Sequence, residues 1–219
     1  MMPTCLLVLS FTAGVALAYS PFQTNQYMDT VLHTNLPAEG VYSNIDPARL
    51  NNFAFERRTK VMFVNVKVKI DYYDGNMTGM FRGRRARDCS PIYRDFYGNA
   101  TLNCTIEFRD VQFRFRGKLK YGKLPTTSIT ATGTVSPSYA YVEVTSRYDF
   151  NSPSLRTMHF TQTGKVTSKF TGLGPLNNEL KKFAEDEFNQ RLTSEFFNVF
   201  TYNYFPAMGR ACTRTKMPL

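Results

Sequence analysis

The sequence predicts an α+β domain, an antiparallel sheet of many strands followed by one long helix that must lie along it. Two observations carry this reading. Between about residue 60 and residue 171, apolar side chains recur at every second position, in runs broken by turn residues and with no helical interval. From Pro175 to Pro206 the period becomes helical: Leu176, Leu180, Phe183, Ala184, Phe188, Leu192, Phe196, Val199 and Phe200 follow i, i+4, i+7 spacing, and Lys181, Lys182, Glu185, Asp186, Asn189, Gln190 and Arg191 fill much of the other face. A helix of about 45 Å by rise per residue buries such a face only against something equally long, and the sheet is the one candidate.

The elements follow in order. The opening MMPTCLLVLSFTAGVALA holds an apolar run from Leu6 to Leu17 and a small-x-small signal at Ala16-Leu17-Ala18, which reads as a secretory signal peptide over residues 1–18. No later stretch has the ~18 apolar residues of a membrane span. A single domain is expected over residues 19–208, and a polar tail over 209–219. Phe22 to Leu36 has helical spacing and should end at Pro37 and Gly40. "NIDPARLNNFAFERR" reads as a short helical turn, with Asp46 as cap and Pro47 in the first turn. "KVMFVNVKVKIDYYDG" is the clearest strand: Met62, Val64, Val66, Val68, Ile70 and Tyr72 share one face, and Asp74-Gly75 is a hairpin signal. "LNCTIEFRDVQFRFRGKLKYG" alternates too, but its apolar set moves from even to odd positions at Arg109-Asp110. Further strands are expected over 127–135, 138–150 and 155–171.

Charge and cysteine content narrow the function. The chain has 27 Lys+Arg against 17 Asp+Glu, a net charge of +10, all beyond residue 18. That favours anionic partners such as a membrane surface, a sulfated glycan or an acidic protein, and secretion argues against nucleic acid. Removal of the signal peptide takes Cys5 and leaves Cys89, Cys104 and Cys212. Any two of the three can join in an oxidising compartment. The expected pair is Cys89–Cys104, closing a short loop for about 3 kcal/mol, with Cys212 unpaired or intermolecular in the tail. Sequons begin at Asn76, Asn99 and Asn103.

The sharpest surface motif is RGRRARD, in which Arg82, Arg84, Arg85 and Arg87 form a candidate anion-binding set. It also contains Arg-x-Arg-Arg, a pattern that secretory-pathway proteases cut. A second basic set, Arg114, Arg116, Lys118 and Lys120, occupies one strand face. No catalytic motif is present: His33 and His159 are the only histidines, and there is no G-x-S-x-G, H-E-x-x-H or phosphate-cradling glycine loop. No enzyme activity, cofactor or metal is expected.

The order of helical N-terminus, Asp-Pro-x-x-Leu turn, long run of strands and final aromatic helix resembles the arthropod group-7 mite allergen family. More distantly it resembles the takeout and juvenile-hormone-binding proteins, all within the TULIP superfamily with bactericidal/permeability-increasing protein. The anchors are "NIDPARLNNFAFERR", "GMFRGRRARDC", "NATLNCTIEFRDVQFRFRGKLKYG" and "GLGPLNNELKKF", spread over about Pro21 to Met208. The resemblance implies one TULIP unit: a highly curved antiparallel sheet wrapped around a long C-terminal helix. It also implies an apolar cleft between them for a hydrophobic or amphipathic lipid-like ligand. Candidate lining residues are Met62, Val64, Val66, Val68 and Ile70 from the sheet, and Phe183, Phe188, Leu192, Phe196 and Phe200 from the helix. By pattern alone, the same residues serve equally as a filled core. The alternative function is a surface-interaction protein whose basic exterior binds anionic lipopolysaccharide, glycosaminoglycan or a host protein. Curvature also accounts for the phase change at Arg109-Asp110 as a β-bulge passing the strand from one side of the sheet to the other.

Overall fold

The computed structural model describes residues 21–40, 43–61, 64–147, 151–172 and 178–218; the signal peptide expected over 1–18 lies outside them. The N-terminal helix consists of α1 (Pro21–Thr30), a π-turn (Val31–Asn35) and α2 (Leu36–Gly40). Among the described residues eleven strands follow: β1 (Ala48–Leu50), β2 (Phe53–Val61), β3 (Val64–Thr78), β4 (Arg84–Arg85), β5 (Tyr93–Arg94), β6 (Ala100–Phe108), β7 (Gln112–Tyr121), β8 (Thr127–Val135), β9 (Ser138–Ser146), β10 (Ser154–Gln162) and β11 (Val166–Thr171). The chain closes with α3 (Asn178–Val199), a second π-turn (Phe200–Tyr204) and α4 (Phe205–Thr213).

The strands form two antiparallel sheets. One has six strands in the order β1-β3-β7-β8-β11, with β2 also paired to β3; the other has five in the order β10-β9-β6-β4, with β5 paired to β6. They are interleaved rather than a simple meander, because the chain passes between the sheets four times, after β3, after β6, after β8 and after β10. These crossings explain the phase change. Phe108 and Val111 are both buried, as are Val135 and Ser138, so at the crossings after β6 and after β8 the inward set moves by three residues and changes parity. The expected bulge at Arg109-Asp110 is therefore a passage between sheets.

The last three crossings are stitched together. Val135 N donates to Val111 O at 3.0 Å and Ser136 N to Lys165 O at 3.0 Å. Gly164 N donates to Ser138 Oγ at 2.8 Å and Lys165 N to Ser136 Oγ at 2.7 Å. A Cβ on Gly164 would stand 1.8 Å from the Ser136 carbonyl oxygen, so only glycine fits there.

A bulge does exist, but at the position read as a hairpin. β3 continues through Asp74-Gly75 with a register shift between Tyr73 and Asn76, and Asp74 has φ +53°. Gly75 packs under the Phe115 ring, where a Cβ would approach within 2.1 Å. The turn expected at Asp46–Leu50 is also different: Ala48–Leu50 is a strand, and the Asp46–Pro47 peptide is cis. Asp46 does cap a helical turn, though not its own. Its carboxylate accepts from Gly79 N at 2.9 Å and Phe81 N at 3.0 Å, around the 3₁₀ turn Met80–Arg82.

Neither helix stops at its proline. Leu36 N–H bonds to Val31 O and Phe205 N–H to Phe200 O, and Pro37 and Pro206 follow directly. A proline in an α-helix lacks a donor and clashes with the carbonyl four residues back; the widened π-turn moves that carbonyl aside, and the helix continues. The chain after residue 208 is not a polar tail, since Ala211, Cys212 and Met217 are buried. Tyr27 Oη donates to Cys212 O at 3.1 Å, and Asn35 Nδ2 to Ala211 O at 3.1 Å. Cys212 is a free thiol, fully buried, and burial pushes its pKa up to about 12. An intermolecular disulfide there would require α4 to undock.

Candidate functional site

The long helix rides on both sheets, and its buried stripe is Ala184, Phe188, Leu192, Phe196, Val199 and Phe200. Each large member contributes roughly 1.5–3 kcal/mol of burial. The N-terminal half meets the six-stranded sheet. Phe188 stands 5.0 Å from Tyr72, 5.8 Å from Phe115, 5.2 Å from Phe170 and 6.0 Å from Phe53, ring centre to ring centre. Leu192 reaches the backbone of β8 because Gly133 has no Cβ, which would otherwise lie 2.3 Å from its methyl group. The C-terminal half meets the five-stranded sheet, where Phe160 packs on Phe196 at 5.0 Å and Phe200 at 4.0 Å, and Phe108 on Tyr204 at 5.3 Å.

The two halves differ in exposure. At the five-stranded sheet Phe108, Phe196, Phe200 and Tyr204 are buried and Phe160 is half-buried beside the exposed Phe197. At the other end five apolar side chains, Phe53, Phe55, Val66, Phe170 and Phe183, are half-buried around the buried Tyr72, Phe115 and Phe188. The seam therefore opens between β2, β3 and the start of α3. β2 places Phe53, Phe55 and Arg57 on its inner face by simple alternation, and its register sets Phe53 opposite Tyr72, Phe55 opposite Ile70 and Arg57 opposite Val68. Phe55 and Phe183 meet edge-to-face at 5.9 Å.

Two guanidiniums frame this mouth. Arg57 lies 4.2 Å from the Phe183 ring centre and Arg191 lies 5.4 Å from that of Phe53. Arg191 stands 2.7 Å from the buried Glu195 one turn on, an ion pair without directed hydrogen-bond geometry, and its Nε is buried with no partner. Deeper in, Tyr72 Oη is buried without a hydrogen-bond partner. Burial pushes its phenol well above the ordinary range, so it is a neutral donor at all physiological pH.

Of the residues expected to line a cleft, Val66, Val68, Ile70, Phe183 and Phe188 come together at this open end. Leu192, Phe196 and Phe200 belong to the closed part. Met62 lies outside the described residues, and of Val64 only the backbone is described. Sequence reasoning missed Phe53, Phe55 and Arg57, which the Asp-Pro dipeptide disguised as a helical turn. Their own alternation was the available signal. It also missed Tyr72 as a polar group and Arg191 as more than solvated surface.

The arginine motif is not one free anion site. Arg85 is committed to α1, donating to both carboxylate oxygens of Asp29 at 2.7 and 2.8 Å. Arg84 stands 3.5 Å from Glu107, while Arg82 and Arg87 are exposed. Arg84 and Arg85 lie in β4, an extended segment paired with β6, and the following Cys89 is joined to Cys104 with Cα atoms 4.4 Å apart. The sequon residues Asn76, Asn99 and Asn103 are all half-exposed, and Asn99 Nδ2 donates to Asp95 at 3.2 Å. Among the described residues no three metal-ligating side chains stand together, and no helix is long and apolar enough to cross a membrane.

The sequence model of the Group 7 allergen family matches residues 23–199, most of the chain. The chain belongs to that family. The match runs from α1 to the end of α3, and so contains the mouth and the aromatic seam as far as Val199; Phe200 and Tyr204 lie beyond it. Among solved structures, this Group 7 chain is similar to Takeout 1 of Epiphyas postvittana, at 15% identity and TM-score 0.36, covering 88% of this chain and 86% of that one. It is also similar to a lipopolysaccharide binding protein, at 12% identity and TM-score 0.41, covering 87% of this chain but only 37% of that one. Likeness at this level carries no functional information. No curated protein matches the chain significantly.

Proposed function

We propose that this Group 7 family member is a secreted, non-enzymatic carrier that holds a hydrophobic or amphipathic lipid-like molecule in the seam between the six-stranded sheet and α3. The observation that carries the reading is the asymmetry of the seam: a continuous aromatic lining that is more enclosed at the end under α4 and bordered by five half-buried apolar side chains at the other. Apolar surface of this kind, rimmed by polar groups, is the ordinary form of a small-molecule site. Entry would run between Phe55 and Phe183 toward Val66, Val68, Ile70 and Phe188. Arg57 and Arg191 would meet a polar or anionic head, while the tail takes the aromatic wall. Sealed Phe196 and Phe200 anchor the helix rather than touch ligand.

The test is mass spectrometry of organic extracts from the natively secreted protein against a mock-secreted control, joined to thermal unfolding with added lipids. A carrier yields a stoichiometric apolar molecule and a melting temperature that rises with ligand concentration. A blank extract together with no stabilisation by fatty acids, phospholipids or terpenoids overturns the proposal.

A further inference from the structure

The outward face of the six-stranded sheet carries a row of side chains that the interior reading does not use. Register places Lys169 of β11 beside Thr132 of β8, and Thr132 beside Arg114 of β7. It places Arg114 beside Asn76 of β3, and Asn76 beside Arg49 of β1. Neighbouring strands lie about 4.8 Å apart, so three cations recur at intervals of about 10 Å with a neutral hydrogen-bonding side chain between each pair. Arg49, Arg114, Thr132 and Lys169 are exposed, and Asn76 is half-exposed.

Among the described residues, several cations in the neighbouring rows are paired, although Lys118 and Lys120 are not; in this row none is. Arg116 stands 3.6 Å from Asp74, Lys69 is 2.8 Å from Asp71 and Lys67 is 2.7 Å from Glu56. Among the described residues, Arg49, Arg114 and Lys169 have no carboxylate partner. The row also has relief. A groove of about 470 Å³ runs past Arg114, Thr132 and Lys169, where Gln112, Thr134 and Thr167 add hydrogen-bonding groups. A second, of about 940 Å³, continues from Asn76 past Arg49, with Asp46, bound to the Gly79 and Phe81 backbone N–H groups, and Asp74, paired with Arg116, also on its lining.

We propose that this row binds an extended sulfated polysaccharide lying across the strands. Spaced sulfates would meet the three cations, and sugar hydroxyls would meet the threonines and side-chain amides. A lipid surface fits less well. Membrane-docking faces insert large apolar side chains, and the exposed ones here, Phe22, Tyr93, Phe96, Tyr97, Leu124, Phe197 and Tyr202, are all outside the row. Asn76 begins a sequon, so a glycan at that position would cover the site.

The test uses heparin as probe and full-length secreted protein carrying Asn76→Gln, which abolishes the sequon, keeps a side-chain amide in the row and leaves Thr78 on the groove. Arg49→Thr, Arg114→Thr and Lys169→Thr are combined in one variant, since threonine suits exposed strands. The comparison variant combines Arg82→Ser, Arg84→Ser and Arg87→Ser, which removes the same charge from the loop. The proposal expects heparin affinity at least 10-fold weaker in the row variant, with a salt dependence shallower by roughly two in log–log slope. The loop variant should bind nearly as the parent does. Equal losses in both variants would reduce the effect to net charge and overturn the site. Tighter, row-dependent binding to phosphatidylserine vesicles than to heparin would overturn the polysaccharide as occupant. Lipid recovered from the interior should be the same in all variants.

Discussion

The two ends of the long helix are built from the same side chains and are enclosed to different degrees. At the five-stranded sheet, Phe108, Phe160, Phe196, Phe200 and Tyr204 interlock, and the helix is extended there by a π-turn and α4, which docks on the N-terminal helix. Glu39 of α2 adds ion pairs to Arg210, at 2.7 Å, and to Arg214. At the six-stranded sheet, Phe53, Phe55, Phe170 and Phe183 cover Tyr72 and Phe188, with no second helix behind them among the described residues. Aromatic content therefore does not separate a core from a binding site. What separates them is whether a further layer of structure closes over the rings.

The sharpest way to break this comparison is truncation at each end. Phe108→Ala at the sealed end should cost about 3–5 kcal/mol, since its ring is fully enclosed. Urea unfolding checks this, and ligand capacity of the folded fraction should be unchanged. Replacing Cys89 and Cys104 with serine should cost about 2–4 kcal/mol by freeing the loop tied to β6. Its measured share shows how much of the sealed end's stability is covalent. Phe183→Ala at the open end should cost only roughly 1–2 kcal/mol, because its side chain is already partly in water. Lipid affinity should nevertheless fall about 10-fold; equal affinity would place the ligand elsewhere.

Acid should weaken the sealed end first. Burial raises the Glu107 carboxyl, but hydrogen bonds from Arg109 and Tyr139 and the charges of Arg109 and Arg84 outweigh it, leaving its pKa below the ordinary range. A carboxyl with a depressed folded pKa adds stability that is full above its unfolded value, about 4.3, and is lost as pH falls through the folded one. Glu107→Gln should flatten the acid limb of a stability–pH curve and leave its neutral part lower. The smallest expected effect on stability is from Tyr72→Phe. Removing a buried hydroxyl with no partner should change unfolding free energy by less than about 1 kcal/mol and in the stabilising direction. Weaker binding of ligands with a carbonyl or hydroxyl, with alkane-like ligands unaffected, would mark Tyr72 as a contact to the ligand's polar group.

The period of the pattern was readable along most of the chain, and the places where reading failed have physical causes. Strand alternation gave β3, β6, β7 and β8, and the helical stripe gave α3. Two signals were read at the wrong address: the bulge lies at Asp74-Gly75 and the passage between elements at Arg109–Val111, because an inserted residue changes parity in either case. The prolines at 37 and 206 were read as stops because a widened turn leaves no mark in apolar spacing. Of the site, the apolar wall was legible from β3 and α3. The mouth was not, since it depends on β2 pairing with β3 and on which rings lack a covering layer. The arginine motif misled for a similar reason: the Arg85–Asp29 pair joins positions far apart in sequence.

The aligned crossings have a consequence for how the molecule comes apart. Since β6 runs on into β7, β8 into β9 and β10 into β11, with the corner closed by bonds around Ser136, Gly164 and Lys165, neither sheet owns a continuous stretch of chain. There is no point at which to cut the sequence and recover one sheet intact. Such a molecule should melt in one calorimetric transition with both sheets lost together. It should also refold slowly for its size, because distant segments must meet before either sheet is complete.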